Sequence, residues 1–523
     1  MKRATPSTTP EAERCAQYRL SWASRGSARR GLWAECIRFA AIVAILGLNG
    51  CAAGTPAPAQ ATTAIRRPNI ILVVADDLSA GEVGCYGQRR IRTPNIDALA
   101  KDGVRLTHFD TAAPVCAPSR AALLCGLHSG HAPIRDNREV GAEGQAPIGA
   151  GTATMVHDLH DAGYVTGLFG KWGLGGPGSG SEPLDCGFDA FTGYLCQRKA
   201  HDHYPESLWR GRALLPLAGN PADSDGGATY AHDVIRDDAA AFIMAQRGAP
   251  FLMVFASPLP HLALQVPDAD LAEYVGAFPE VPYDGSTGYR KHATPRAAYA
   301  AMISRFDRDV GALVAAVKAA GIERDTVIVV TADNGATHDV GGVDTGFFES
   351  TAGLRARKGR VFEGGIRVPM VAWAPGRIAP GRVLDEPAWM PDLRATFDGW
   401  CGVAAPATDG RDLSRWLAGT ADAPPAPFEG YWEFPGYGGQ MAVAFRDGVH
   451  RWKAVRTDMG KRGADAPVML FDLAADPAEA HDVAAQHPAV LAEARRRWAA
   501  GHVANAEFPM QGIDAPAAAA PAR

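Results

Sequence analysis

The sequence predicts an α/β protein with a large, mainly parallel sheet sandwiched by helices, followed by a smaller carboxy-terminal α+β part containing an antiparallel sheet. Three observations predict it. Apolar, β-branched runs at 69–75 (NIILVVA), 250–256 (PFLMVFA) and 326–332 (TVIVVTA) lack polar alternation, as strands buried on both faces require. Helical patterns at 93–102 and 295–320 alternate with these runs, the order that builds a parallel sheet covered on both sides. Beyond Pro387 the character changes to short strand-like runs at 441–446 and 450–455, joined through Asp447-Gly448, a hairpin signal, with a helix expected over 488–502.

The chain has 523 residues, length for two or three domains at roughly 100–200 residues each. Its 52 basic and 57 acidic residues leave a formal charge of −5, which gives no overall pull toward nucleic acid. A hydrophobic content of 47% with 21% charged residues disfavours wholesale disorder and a multi-span membrane protein. Nine cysteines without a C-x-x-C pair give no support to a zinc ribbon or a thioredoxin-like site.

Residues 1–38, rich in Arg, Ser and Thr, precede an apolar run at 39–48 that has the length of a signal-peptide core and is too short to span a bilayer. Leu48-Asn49-Gly50-Cys51 then resembles the bacterial lipobox, in which the cysteine is lipidated and becomes the new amino terminus. A plain signal peptide cut after a small residue is the other reading. Ala, Pro and Thr dominate the following residues to Arg67, as in a flexible tether. The expected location is exported and periplasmic, with the membrane reached only through a lipid anchor at Cys51.

The first strand ends in Asp76-Asp77 and the one at 326–332 ends in Asp333-Asn334-Gly335. Pro94 suits a first helical position, and Gly103 and Gly321 suit residues just past helix ends. In open α/β sheets ligands bind beyond the carboxyl ends of strands, where both acidic clusters fall. Three converging carboxylates repel one another; a hard divalent cation relieves that repulsion and takes the Asn334 carbonyl as a further oxygen ligand. Calcium, or magnesium, is the natural candidate. The alternative is that Asp77 and Asp333 only cap loops.

Residues 116–126 read CAPSRAALLCG. Pro118 can start a helix whose first turn holds Ser119 and Arg120, so a nucleophile there would meet backbone N–H groups and a guanidinium suited to an anion. An ordinary buried thiol is the competing reading. The run resembles the signature of the sulfatase family of the alkaline phosphatase superfamily, matched by Cys116, Pro118, Arg120, Leu124 and Gly126. Asp76-Asp77 and Asp333-Asn334 look like that family's metal-ligand pairs. Gly170-Lys171-Trp172 resembles its substrate-lysine motif, Pro260-His261 its substrate histidine, and Lys358-Gly359 with Glu363-Gly364-Gly365 its second lysine. The resemblance runs from about Arg67 to Leu470-Phe471-Asp472-Leu473 and Asp476-Pro477. It implies an alkaline phosphatase-like fold and hydrolysis of aryl or carbohydrate sulfates. The organisation is then a signal peptide with lipobox (1–50), a tether (51–67), a catalytic domain (68–386), an α+β subdomain (387–513) and a disordered tail (514–523).

A sulfate ester is a poor electrophile with negatively charged oxygens, so it needs charge neutralisation and a strong nucleophile. The resemblance implies that a formylglycine-generating or sulfatase-maturating enzyme oxidises Cys116 to Cα-formylglycine, whose hydrate provides two hydroxyls. One attacks sulfur after losing its proton to Asp333, and the other expels sulfate. Asp76, Asp77, Asp333 and Asn334, with residue 116 itself, would ligate the cation. Arg120, Lys171 and Lys358 would clamp the sulfate, and His261 or Lys358 would protonate the leaving alcohol.

One departure stands out. Where the family pattern has Gly-Lys-Trp-His, with the His deprotonating the second hydroxyl, this chain has Gly173. His201, in Ala200-His201-Asp202-His203-Tyr204, is the favoured substitute, although an H-x-H pair also reads as a solvated or metal-chelating loop. Cys125, where relatives carry Thr, is expected to pack. Cys186 and Cys196, ten positions apart, could pair in an oxidising compartment. Cys85 and Cys401 have no specific role. Tyr431, Trp432, Phe434 and Tyr437, with Trp209 and Tyr204, could stack on a sugar or aryl ring or simply pack a core. Two other functions compete: a phosphomonoester or phosphonate monoester hydrolase of the same superfamily, and an inactive lipoprotein that binds sulfated glycans.

Overall fold

The computed structural model describes residues 67–514, except 142, 222–225 and 405–406. The segments expected to be an export signal, a lipidation site at Cys51 and a tether, up to residue 66, lie outside the described residues, as do residues 515–523 of the expected tail. Among the described residues no helix is long and apolar enough to cross a membrane.

A ten-stranded sheet organises the chain, with spatial order Arg382–Leu384, Val104–Leu106, Met370–Trp373, Thr326–Ala332, Asn69–Ala75, Phe251–Ala256, Val165–Lys171, Ala190–Tyr194, Ser207–Arg210 and Ala213–Pro216. The middle five, from Thr326–Ala332 to Ala190–Tyr194, are mutually parallel. Every residue of Asn69–Ala75, Phe251–Ala256 and Thr326–Ala332 is buried, which is why these strands read as unbroken apolar runs. Toward one edge Met370–Trp373 runs antiparallel between two neighbours, and the opposite edge is closed by an antiparallel hairpin. Register matters most in the centre: Ala75 lies opposite Ala332, so Asp76 and Asp333 leave adjacent strands at the same height. The helices Pro94–Asp102 and Pro295–Ala319 begin at proline, as expected, and Gly321 adopts φ +70° just past the second.

The carboxy-terminal strands Glu429–Phe434, Gln440–Asp447, His450–Arg456 and Val468–Asp472 form an antiparallel meander. The expected hairpin forms, but its two-residue turn is Gly448-Val449, with Gly448 at φ +58° as the first turn residue and Asp447 paired with His450 as the last residue of its strand. Trp432, Phe434, Trp452 and Phe471 pack with Phe362, Ile366 and Trp389 in one buried cluster, which joins this sheet to the loop that carries Lys358. The helix Pro488–Gly501 buries Trp498 and Ala494 against it.

One expectation needs correction, and two readings left open by the sequence are decided. The signature helix starts at Cys116, two residues before Pro118, and runs to Cys125; proline is tolerated there because the first N–H groups of a helix lack partners anyway. Cys186 and Cys196 are free thiols, with the strand Ala190–Tyr194 between them in the chain and Cys186 close instead to Cys125. Of the aromatic residues, Tyr431, Trp432 and Phe434 are buried in the core, Tyr204 packs at a tilt against Tyr230, and Trp209 donates its indole N–H to Glu143. Tyr437 alone of the cluster at 431–437 is well exposed.

Candidate active site

The two central strands deliver Asp76, Asp77, Asp333 and Asn334, all fully buried, to one end of the sheet. Asp77 takes φ +67°, a left-handed conformation that Asp tolerates better than most residues, and its N–H bonds Asp333 Oδ1 at 3.2 Å. The neighbouring strand brings Lys171, whose Nζ lies 2.5 Å from Asp76 Oδ2. The loop carrying Lys358 is tied on both sides: Lys358 N–H bonds Ala336 C=O, and Gly359 N–H bonds Pro114 C=O just before the signature helix. Lys358 Nζ consequently sits 2.7 Å from Asp77 Oδ1 and 3.5 Å from Cys116 Sγ. Arg120, one turn into the helix, bonds Asp333 Oδ2 through Nε at 2.9 Å and the Lys171 carbonyl through Nη1 at 2.8 Å. Its Nη2 also lies 2.8 Å from Asp333 but has no aligned acceptor, leaving N–H capacity for an incoming anion.

Cys116 lies at the centre of these groups and donates its S–H to Asp76 Oδ1 at 3.3 Å. Burial, reinforced by Asp76, pushes its thiol far above the ordinary range, so the site does not support a thiolate. Burial, the largest single influence, disfavours ionised Asp76 and Asp77, but the surrounding cations together, led by Lys171 for Asp76 and by Lys358 for Asp77, outweigh it and hold both carboxyls below their ordinary range. Asp333 differs: burial and then Asp76 push it up to about 6. Three cations thus face three carboxylates. Asp76, Asp77, Cys116 and His261 each present a ligand atom within 4.8 Å of one another. Asn334 donates to Asp77 Oδ1 at 2.7 Å, and its own Oδ1 is buried without a partner. An unpaired buried acceptor on a residue bonded to Asp77 fits a hard divalent cation.

His261 stands on the far wall, Nε2 3.5 Å from Asp77 Oδ2, with its Nδ1–H donated to the Leu262 carbonyl at 2.7 Å. His201 stacks on it, ring centroids 4.1 Å apart, so this histidine does reach the site. Burial, then His261 and the two lysines, hold His201 neutral. The H-x-H pair does not chelate, because His203 turns into the core. There it meets His232 at 2.7 Å and donates Nε2–H to the His261 carbonyl at 3.0 Å. At Gly173, φ is +74° and a Cβ would lie 2.9 Å from Gln197 Cγ, so Gln197 fills the space beside a backbone that resists any side chain.

Sequence reasoning passed over Asn137. Its Oδ1 accepts from the N–H of Ala117, next to Cys116, at 3.0 Å and from Gln197 at 3.2 Å, which turns its NH2 group away from both. No spacing rule marks such a residue; only the fold brings it to the helix start.

Comparison with known proteins agrees with this geometry. The family model described as Sulfatase matches residues 68–403. Arylsulfatase A of Homo sapiens is 31% identical, over 82% of this chain and 86% of its own, and the steryl-sulfatase of Mus musculus is 29% identical, over 81% and 79%. The solved structure of Ps i-CgsB in complex with k-i-k-neocarrahexaose superposes with a TM-score of 0.69 at 26% identity, covering 86% of this chain and 94% of that one. The chain belongs to the sulfatase family and is a sulfuric ester hydrolase.

Proposed function

We propose that the protein hydrolyses sulfate esters with a Cα-formylglycine made from Cys116 and with calcium held by Asp76, Asp77, Asp333 and Asn334. The observation that carries this reading is the setting of Cys116: a thiol kept protonated by burial and Asp76, at the one place where Arg120, Lys171 and Lys358 converge. An unmodified cysteine is a poor nucleophile there, whereas the hydrated aldehyde supplies two hydroxyls at the same position. The cation, when bound, lowers the pKa of an oxygen nucleophile and offsets sulfate charge.

The chain's own residues do the rest. Asp333, within electrostatic reach of residue 116, is the base that accepts the proton of the attacking hydroxyl. Arg120 Nη2, Lys171 and Lys358 orient the sulfate oxygens. Neutral His261 has its single proton on Nδ1, committed to Leu262, so Lys358 is the better donor to the leaving oxygen. His201, held neutral above His261, takes the role of the base missing at Gly173. The oxygen-only donor set Asp76, Asp77, Asp333 and Asn334 favours one hard cation over the histidine-bound zinc pair of a phosphatase.

Export and lipid anchoring at Cys51 remain part of the proposal, supported by the apolar run at 39–48 and Leu48-Asn49-Gly50-Cys51. Steady-state hydrolysis of 4-nitrophenyl sulfate and 4-nitrophenyl phosphate by protein coexpressed with a maturating enzyme tests the chemistry. The sulfate is expected to turn over and the Cys116→Ala variant to be inactive; preference for the phosphate would overturn it.

A further inference from the structure

Tyr437 is 53% exposed, in the loop Pro435-Gly436-Tyr437-Gly438-Gly439 between two strands of the carboxy-terminal sheet. It holds φ +49°, an outlier for a bulky side chain of the kind that persists where surrounding structure enforces it, and that clusters at binding sites. The Cδ2–Cε2 edge of its ring abuts Gly359, the residue after Lys358, which leaves the ring faces free of that glycine. A Cβ at 359 would come within 2.1 Å of Tyr437 Cε2, so only glycine allows the ring to approach. Tyr437 is within electrostatic reach of Lys358, Cys116 and Asp136, which places the ring at the mouth of the catalytic site. Its hydroxyl bonds no protein group among the described residues.

Beside this loop stands Asp136, its carboxylate against Gly436 and bonded by the N–H of Asn137 at 2.7 Å. No cation faces it among the described residues, and burial pushes it up to about 6. The mouth thus pairs an exposed aromatic face with an acceptor-rich carboxylate. A sugar ring suits that pair: its C–H face covers the aromatic ring and its hydroxyls donate to the carboxylate. A second sulfate or a carboxylate on the substrate would meet an uncompensated negative charge.

We propose that Tyr437 and Asp136 form the leaving-group subsite, and that it takes a sugar ring carrying one sulfate and no other charge. The inference rests on the sulfate site proposed above and names its substrate class.

Equilibrium binding to the full chain produced without maturation, in calcium-containing buffer, tests it without requiring turnover. The probes are methyl hexopyranosides sulfated once at O2, O3, O4 or O6, the 4,6-disulfate, 4-nitrophenyl sulfate and inorganic sulfate. At least one monosulfate is expected to bind about tenfold more tightly than inorganic sulfate and than the disulfate. Tyr437→Ala should remove that advantage and Tyr437→Phe keep it to within about twofold, since the ring and not the hydroxyl supplies the face. Asp136→Asn should narrow the gap between monosulfate and disulfate. The subsite is overturned if no monosulfate outbinds inorganic sulfate, if 4-nitrophenyl sulfate outbinds them all, or if Tyr437→Ala binds like the wild type. Such a result beside normal aryl-sulfate hydrolysis leaves the chemistry standing, whereas selective binding by a chain that never acquires formylglycine leaves the subsite standing.

Discussion

Asn334 donates its side-chain N–H to Asp77 at 2.7 Å while its own amide oxygen, fully buried, accepts from nothing among the described residues. Leaving a buried acceptor unpaired costs about 1–3 kcal/mol, so the pair makes sense as half of a cation site. Calcium at a hundredfold excess over its dissociation constant should stabilise the fold by about 2.7 kcal/mol, read as a rise in Tm. Asn334→Ala should lose most of that rise, and chelation should abolish hydrolysis. A Tm indifferent to calcium in the wild type would remove the cation from the account.

Arg120 and Lys171 make separable contributions. Arg120→Lys keeps the charge but loses the fork that binds Asp333 and the Lys171 carbonyl together, and about a hundredfold or greater loss in kcat is expected. Lys171→Met leaves Asp76 buried without its nearest cation, so unfolding free energy should fall by about 3–5 kcal/mol as well as activity. Calorimetry beside steady-state rates distinguishes the two.

His201→Ala should slow release of sulfate more than the initial attack. Rapid mixing with an aryl sulfate would then show a burst of alcohol near the wild-type amplitude followed by a depressed steady rate. Equal loss of both phases would remove His201 from the release step.

Much of this site was readable because chemistry and register coincide. Asp76-Asp77 and Asp333-Asn334 follow strands buried on both faces, and such strands declare themselves as continuous apolar runs. Val165–Lys171 was harder, since Gly167 and Gly170 interrupt its pattern, and the edge strands Ser207–Arg210 and Ala213–Pro216 are short and partly exposed. Gly173 looked like a missing histidine; only the structure shows Gln197 in the vacated space and His201 stacked on His261 from another loop. Cys186 and Cys196 looked pairable by number until a strand came between them. Asn137 and Asp136 gave no local signal, because their roles depend on contacts made by tertiary folding alone.

His502 ties the last described turn to the sheet, with Nδ1 2.9 Å from Glu433 Oε2 and Nε2 2.9 Å from Asp514 Oδ1. Burial alone would lower its pKa, but the two carboxylates outweigh it and raise the pKa above the ordinary value. A raised histidine binds its proton more tightly when folded. Its stabilisation is therefore complete below about pH 6.5, the unfolded value, and is lost as pH rises through the higher folded value. The Tm difference between wild type and His502→Gln should be largest near pH 5 and shrink above pH 8; a difference that grows with pH would contradict this pairing.

The mass of the peptide containing residue 116, from protein coexpressed with a maturating enzyme, tests the central claim most directly. The expected mass is that of Cα-formylglycine or its hydrate at that position, in the same preparation that hydrolyses a sulfate ester. An intact cysteine in protein that nevertheless turns over sulfate esters would contradict it.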